Sequence, residues 1–498
     1  LTRRRQEMKK LAEILKNAPV ISAKGDLQRP VSGIAIDSRK ITANNCFVAI
    51  AGYKQDGIEY LREAVKQGAN AVVTQHAPMA EYEDITASGQ VAWVQVRDDR
   101  LALSRLAAAF YDNLTAGMYT VGVTGTNGKT TVMSLIAAIF NRVEKTASIG
   151  TLGMSCAGLL KKSGLTTPEI NDIFEFLSGI CQPDCRGLVM EASSVALQLQ
   201  RLADIDFSQA IFTTFSGDHL DFHKTMADYF EAKMLLFKKL RPGGTALINI
   251  DDPVAPRVRE RLKHENKYVT YGFSDQADVR PVNYKLSLDG IEAEVRTPQG
   301  NIGIESSLIG KVNLSNILAA VGSAVIKGIS PGEIAAGLKD FKAVKGRFDF
   351  AYKGDFAVLI DYAHTDQALE ALLVSLKEVV EKRVIVVFGA GGSRDKTKRP
   401  RMGEAASKHA DFVVVTSDNP RAEDPAAIIA GIVPGFVYGF KNFIVEIDRE
   451  KAIGRALEMA RPGDLVVIAG KGHEDYQIFK DRTIHFDDFE VVRELVKK

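Results

Sequence analysis

Short apolar runs rich in valine and isoleucine, each ending in glycine, serine or a charged residue, alternate along the chain with segments whose apolar positions recur at helical spacing. Runs of the first kind suit strands buried on both faces, and segments of the second kind suit helices packed over them, so the rhythm predicts an α/β protein. In the first stretch the pattern predicts strands at 34–36, 46–50, 71–74 and 91–96 and helices at 59–66 and 101–110. The turns Asp37-Ser-Arg39 and Gly52-Tyr-Lys-Gln-Asp-Gly57 fall between these elements, and polar residues there need no explanation beyond lying in loops.

The next apolar strand runs directly into Thr124-Gly-Thr-Asn-Gly-Lys-Thr-Thr131, followed by an apolar helix to Phe140. Gly125 and Gly128 let backbone N–H groups close on an anion, Lys129 adds a point charge, and the start of the helix offers its positive end. Val123 stands where the common phosphate-loop pattern has its first glycine, so the cradle is either a variant of that loop or an accident, and Gly-Lys-Thr-Thr directly after an apolar strand favours the variant. A strand over 187–190 ends in Glu191, at the strand edge where open α/β sheets bind ligands. After a strand at 210–213, Asp218, His219, Asp221 and His223 crowd one expected loop, a density that favours a metal or phosphate site. Lys233, amid Ala232, Leu236 and Phe237 of a helix over 226–240, reads from its neighbours as a solvated lysine. A strand at 245–250 and a helical run over 317–326 follow, with Asn313 and Asn316 either capping that helix or facing the nucleotide.

In the last third, strands at 357–360, 384–388, 411–416 and 465–469 each run into loops of Gly, Asp, His or Arg: Asp361-Tyr-Ala-His364, Gly389-Ala-Gly-Gly-Ser-Arg-Asp395, Ser417-Asp-Asn-Pro-Arg421 and Gly470-Lys-Gly-His-Glu474. That suits a Rossmann-like sheet with ligand at its carboxyl edge. Arg394 replaces the third glycine of the dinucleotide fingerprint, so no NAD site is expected.

Composition narrows the class. At 498 residues, with 46% hydrophobic and 25% charged residues, the chain is long enough for about three globular domains. The 64 Lys and Arg nearly balance 62 Asp and Glu, which argues against a nucleic-acid surface. The basic opening Leu1 to Lys10 is not followed by an apolar signal core, and no run is long enough to span a membrane. Cys46, Cys156, Cys181 and Cys185 lack zinc spacing and suit a reducing cytoplasm, each read as a buried thiol.

Together, Thr124 to Thr131, Glu191-Ala-Ser-Ser194, Asp218-His-Leu-Asp221, Gly346-Arg347, Asp361 to His364 and Gly470 to Glu474 resemble the Mur ligases, which build the peptide stem of bacterial cell wall. The nearest branch adds the third residue to UDP-N-acetylmuramoyl-L-alanyl-D-glutamate. The resemblance spans nearly the whole chain. It implies an N-terminal α/β domain for the UDP sugar (1–113), a central ATPase with a mostly parallel sheet (114–342) and a Rossmann-like carboxyl domain delivering the amino acid (343–498). It implies a cytoplasmic enzyme of cell-wall synthesis, cell shape and division, expected as a monomer.

By that resemblance, Gly125, Thr126, Asn127, Gly128, Lys129, Thr130 and Thr131 hold ATP with Asn313, Arg347 and Asp361, while Thr130, Glu191, His219 and a carbamylated Lys233 serve Mg²⁺. Catalysis is assigned to Lys129, Glu191, His219 and Lys233. Ile36, Ser38, Tyr53, Lys54, Gln55, Thr166, Thr167, Ser193 and Arg201 would hold the UDP-muramoyl dipeptide. Arg394, Asp418, Asn419, Pro420, Arg421, Gly470 and Glu474 would form the amino-acid pocket. Asp418-Asn-Pro-Arg421 matches relatives selective for meso-diaminopimelate, and a guanidinium can grip bidentately the extra carboxylate that lysine lacks. Val195, Leu199, Thr214 and Gly217 depart from the pattern of that branch around the muramoyl-peptide site. The expected reaction is ATP-dependent amide formation through an acyl phosphate. The alternatives are the same reaction with L-lysine or another diamino acid, another carboxylate–amine ligase, or a nucleotide switch without ligation. A switch has no need of Arg394, Arg421 and Glu474 on adjacent strand ends.

Overall fold

A computed structural model describes residues 7–52, 55–181 and 184–497. Three mainly parallel sheets succeed one another along the chain, which bears out the α/β expectation. The first has five strands in the order Val20–Lys24, Ala92–Val96, Ala69–Thr74, Asn45–Val48, Gly33–Ala35, with only the first pair antiparallel. The second has eight, in the order Leu159–Lys161, Gly153–Cys156, Thr146–Gly150, Gly187–Glu191, Tyr119–Thr124, Phe207–Phe212, Leu240–Asn249, Lys267–Tyr271. The last six of these are parallel. The third has six, Asp349–Lys353, Ala357–Asp361, Leu465–Ala469, Val384–Phe388, Phe412–Val415 and Phe443–Val445, parallel except for the first pair.

Strand Tyr119–Thr124 sits inside the second sheet, with Val123 opposite Glu191 on one side and Thr124 opposite Phe212 on the other. That register is what brings the cradle, Glu191 and the loop after Phe212 to one edge. The strand is buried on both faces: Val121 and Val123 pack into the cluster that includes Val132, Ile136 and Leu314. On the other face Gly122 lies against Leu236 and Phe207, and a Cβ there would come 2.6 Å from Leu236 Cδ1. The missing side chain lets helix Met226–Lys238 approach the strand closely. Phe230, Met234, Leu236 and Phe237 are wholly buried on that helix, each contributing about 1.5–3 kcal/mol. This apolar anchoring offsets the cost of burying Lys233, which is only 1% exposed. The surface reading of Lys233 is therefore wrong: its neighbours are apolar because the helix is docked there.

Other departures have local causes. A three-stranded antiparallel meander, Arg280–Ser287, Gly290–Thr297 and Gly300–Ser306, was not expected. The helix expected from 317 begins at Lys311 and runs to Lys327, so Asn313 and Asn316 lie within it. Cys46 and Cys185 are buried free thiols, whereas Cys156 is disulfide-bonded.

Candidate functional site

Gly125 has φ +144° and Gly128 φ +85°, both in the left-handed half of backbone space where only glycine is comfortable. A Cβ on Gly125 would collide with Thr213 Oγ1 and one on Gly128 would lie 2.7 Å from Asn316 Oδ1, so the loop is walled on its outer side. Thr214 supports the other side, accepting the Thr126 N–H at its carbonyl (2.6 Å) and the Asn127 N–H at its hydroxyl (3.0 Å). Helix Lys129–Phe140 starts immediately after Gly128. Inside the loop, Lys129 Nζ donates to the carbonyls of Gly125 (3.0 Å) and Thr126 (2.8 Å), and Lys233 Nζ donates to Gly125 O (2.7 Å). Two buried ammonium groups thus share one carbonyl. Burial pulls both below the ordinary lysine range, Lys233 strongly, with Lys129 as its second cause. An anion set between them would reverse both penalties, and this fits a phosphate group.

Glu191 is wholly buried and its Oε1 accepts the Thr151 N–H at 2.8 Å. Asp218 is held below the usual carboxylate range although burial opposes this, because it lies beside His219 and His364, accepts the His219 backbone N–H at 2.9 Å and faces Lys129. His219, lowered by burial, stands 3.5 Å from Asp218 Oδ2. The expected four-member cluster does not assemble. His219 takes φ +53° and ends the loop; Leu220–His223 forms a short helix, and His223 turns inward to pair with Ser194 Oγ at 2.9 Å. Among the described residues no group of three or more His, Cys, Asp or Glu could hold a metal by itself. The donors present, Glu191 and the Thr130 hydroxyl beside the phosphate loop, suit Mg²⁺, which commonly takes one or two protein oxygens and completes its shell with phosphate and water.

These groups line a cleft of about 470 Å³ that also takes Thr166, Thr167, Ser193 and Arg201 from one side and Arg347, Tyr362, His364, Thr365 and Arg394 from the third sheet. Arg347 lies 4.4 Å over the Tyr362 ring. Asp361, raised by burial, accepts the N–H groups of Phe348 (2.9 Å) and Ala363 (2.8 Å) and lies behind the cleft wall. Asn313 donates to Ile309 O at 3.0 Å and, like Asp361, is not a lining residue; Asn316 is the one that meets the cradle. Thr167 Oγ1 ties Glu191 O (2.8 Å) to Ser193 Oγ (3.1 Å), and Arg201 is pinned by Glu169 at 2.7 Å.

The parallel register of the third sheet, Asp361 opposite Ala469 and Phe388 opposite Val415, aligns its loops along one edge. Asn419 Nδ2 donates to Glu474 Oε2 at 2.8 Å, and buried Lys471 lies 3.4 Å from the same oxygen. Burial first, then Asp418, pushes Glu474 up. Asp418 Oδ2 is buried without a hydrogen-bond partner among the described residues, the kind of orphan an ammonium group satisfies. Arg421 has φ +52°, and its Nη1 donates to Gly392 O (3.0 Å) and Asn419 O (3.4 Å). Gly470 must be glycine here, with φ +114° and a would-be Cβ 2.6 Å from Asp418 Oδ2. Arg394 is half exposed, 3.8 Å from Asp221.

Among the described residues the first sheet contributes none to the cleft lining. Ser38 is buried and donates to Glu63 Oε2 at 2.6 Å, Ile36 is half-buried, and Gln55 Oε1 accepts from Tyr60 OH at 2.9 Å. Tyr53 and Lys54 lie outside the described residues.

Three family models tile the chain in order: Mur ligase family, catalytic domain, over residues 30–111; Mur ligase middle domain over 123–324; and Mur ligase, glutamate ligase domain, over 346–472. The UDP-N-acetylmuramoyl-L-alanyl-D-glutamate–2,6-diaminopimelate ligase of Syntrophomonas wolfei is 42% identical over 493 residues, covering 98% of this chain and 99% of its own. This chain belongs to the Mur ligase family. The ligase of the same name from Solibacter usitatus is 41% identical, with 94% of each chain covered. A solved structure of a protein of that name has a TM-score of 0.69 at 30% identity, covering 98% of this Mur ligase and 99% of that chain. The fold is also that of MurF from Thermotoga maritima in complex with ADP, at a TM-score of 0.66 and 18% identity.

Sequence reasoning missed several lining residues of this Mur ligase: Thr151, Leu165, Tyr229, Tyr362, His364 and Thr365. Tyr229 was within reach, because it precedes Lys233 by one helical turn and so places its ring under the ammonium, 4.1 Å away. Its hydroxyl also pairs with Thr126 Oγ1 at 3.2 Å. Of the four departures from the branch pattern, Val195 lines the cleft, Thr214 braces the cradle, and Gly217 N donates to Gln367 at 3.2 Å. Nothing in the structure explains Leu199.

Proposed function

We propose that this Mur ligase joins meso-diaminopimelate to the D-glutamyl side-chain carboxylate of UDP-N-acetylmuramoyl-L-alanyl-D-glutamate at the expense of ATP, in peptidoglycan precursor synthesis. One observation carries the reading: a glycine cradle holding two buried lysines shares its cleft with Arg394, while Asp418, Arg421 and Glu474 gather on the same sheet edge as Arg394. The names of relatives at 37–42% identity support the same substrates.

A carboxylate resists amine attack until one oxygen becomes a leaving group. The cradle N–H groups, Lys129 and Thr130 grip the triphosphate, and Lys129 offsets charge as the γ-phosphoryl group passes to the D-glutamyl carboxylate and ADP departs. Thr130 and Glu191, with His219 nearby, would hold Mg²⁺, which would supply charge neutralisation between two anions that otherwise repel. Arg421 takes the distal carboxylate of diaminopimelate, with Arg394 beside it. Glu474 and the unpartnered Asp418 oxygen take its distal ammonium. The other amine, once deprotonated, attacks the acyl carbon; the C–N bond forms, the C–O bond to phosphate breaks, and phosphate leaves. Thr166, Thr167, Ser193 and Arg201 hold the muramoyl dipeptide, and Ser38 with the 53–55 loop its UDP end, which requires the first domain to close on the cleft.

Lys233 is suited to carbamylation because burial favours its neutral, nucleophilic amine. A carbamate there would neutralise Lys129 and add oxygen donors for a metal. Activity unchanged after exhaustive bicarbonate removal would sink that role. We place the domain boundaries near 113/114 and 342/343, since each parallel sheet stays within one segment. Among the described residues no helix is long and apolar enough to cross a membrane. We propose a cytoplasmic monomer, where ATP and UDP-sugars are available, to be checked by light scattering.

The test is phosphate release from ATP, Mg²⁺ and the UDP-dipeptide with each amino acid in turn. Release with meso-diaminopimelate and not with L-lysine is expected, and turnover independent of any amino acid would point to a nucleotide switch.

A further inference from the structure

Tyr362 belongs to two neighbourhoods at once. It follows strand Ala357–Asp361 directly and lines the cleft that holds the cradle. Its ring face carries the Arg347 guanidinium 4.4 Å from the centroid, and the His364 and His473 rings flank it at 4.6 and 5.0 Å. Its other end leaves the cleft. The phenol hydroxyl donates to Glu474 Oε1 at 3.5 Å, while the second oxygen of that carboxylate takes Asn419 Nδ2 at 2.8 Å. The side chain has little freedom, because Gly472, at φ +54°, presses its backbone so close that a Cβ there would lie 2.7 Å from Tyr362 Cβ. Burial keeps the phenol protonated, so its hydroxyl remains a donor to Glu474.

We propose that Tyr362 is a positioning residue that couples the two halves of the site, its ring seating Arg347 against the nucleotide and its hydroxyl fixing Glu474 for the diamino acid. A rigid ring clamped between two histidines transmits the placement of one charged group to the other, without a backbone movement. Among the described residues Asn419 and Lys471 hold Glu474 Oε2 and the Tyr362 hydroxyl holds Oε1, so without that hydroxyl Oε1 is left unheld. The inference rests on the reading of Asp418, Arg421 and Glu474 as the diamino-acid pocket.

Tyr362→Phe keeps the ring and removes only the donor. Steady-state kinetics should show the KM for meso-diaminopimelate rising about five- to tenfold, for one long hydrogen bond to a charged acceptor, with the KM for ATP within twofold of wild type. Tyr362→Leu removes the seat of Arg347 as well and should raise both KM values. Combining Tyr362→Phe with Glu474→Gln should add less than the product of the single effects, because the two groups act as a unit. An unchanged diaminopimelate KM in Tyr362→Phe, equal rises in both KM values, or fully multiplicative effects would overturn the coupling. Thermal melting is run alongside; if Tyr362→Leu fails to fold, the Phe variant and the double-mutant cycle decide. The wild type separates the two levels of claim. If its phosphate release does not depend on diaminopimelate, the pocket reading has failed; if it does and Tyr362→Phe keeps its KM, only the coupling has failed.

Discussion

Replacing Arg421 by alanine isolates the step that distinguishes meso-diaminopimelate from lysine. Arg421 is partly buried and anchored by a single nitrogen, Nη1, to Gly392 O at 3.0 Å and Asn419 O at 3.4 Å. Among the described residues its Nε and Nη2 make no hydrogen bond, so two donors in one plane remain for a carboxylate. Hydrogen bonds to charged groups contribute about 1.5–3 kcal/mol, which at 1.36 kcal/mol per tenfold is about 13- to 160-fold in kcat/KM. Partial exposure favours the lower half of that range. Arg421→Ala should therefore lower kcat/KM for meso-diaminopimelate by about 10- to 50-fold, almost entirely through KM, and leave the KM for ATP alone. The ratio of diaminopimelate to lysine use should shrink by the same factor, since lysine has no carboxylate to lose. Arg421→Lys restores charge without the fork and should fall between. The assay is coupled ADP release at saturating UDP-dipeptide with the amino acid varied. A diaminopimelate KM within twofold of wild type in Arg421→Ala, with turnover intact, would refute this role.

Three further outcomes follow from the structure. Gly128→Ala forces a Cβ to 2.7 Å from Asn316 Oδ1 at φ +85°, so the KM for ATP should rise at least about tenfold while that for diaminopimelate stays put; ATP titration checks it. Arg449 and Asp488, both without exposed side-chain surface, pair through two 2.8 Å bonds, and Arg449 also holds Ala469 O just before Gly470. Asp488→Asn leaves that guanidinium uncompensated and should cost about 3–5 kcal/mol in denaturant unfolding, whereas Arg449→Met with Asp488→Leu should recover most of the loss. Burial and the neighbouring Arg347 and Lys345 hold His473 at about 4. Its folded value lies below the unfolded one, so the unfolded chain binds the proton first, and stability falls as pH drops from about 6.5 toward 4, by at most about 3 kcal/mol. His473→Gln should flatten that slope in unfolding midpoints measured at pH 7.5 and 5; an unchanged slope would contradict the assignment.

Much of this was legible in the sequence, and the exceptions have physical reasons. The strands at 384–388 and 465–469 stood out because a strand buried on both faces leaves an unbroken apolar run, and they appear as Val384–Phe388 and Leu465–Ala469. The cradle was readable because its chemistry is local. Lys233 was not, since its burial depends on Gly122 more than a hundred residues earlier giving its helix room. The two histidines at 219 and 223 have the spacing of one helical face, yet the left-handed backbone at His219 starts the helix after it and sends His223 to Ser194. The meander at 280–306 could have been found. Ile291, Ala293 and Val295 alternate with Glu292, Glu294 and Arg296 between turns at Asp289-Gly290 and Gln299-Gly300, and the alternation matches its burial. Tyr362 lies in the motif Asp361-Tyr-Ala-His364 between residues of more obvious chemistry, and a ring that serves two sites shows itself only once both are folded.

Whether one chain couples an ATP cradle to a diamino-acid pocket is decided by substrate-dependent phosphate release. With ATP, Mg²⁺ and UDP-N-acetylmuramoyl-L-alanyl-D-glutamate present, adding meso-diaminopimelate should start stoichiometric release of phosphate and formation of the UDP-tripeptide, and L-lysine should not. Release that begins only with lysine would contradict the specificity, and release indifferent to any amino acid would contradict the ligase itself.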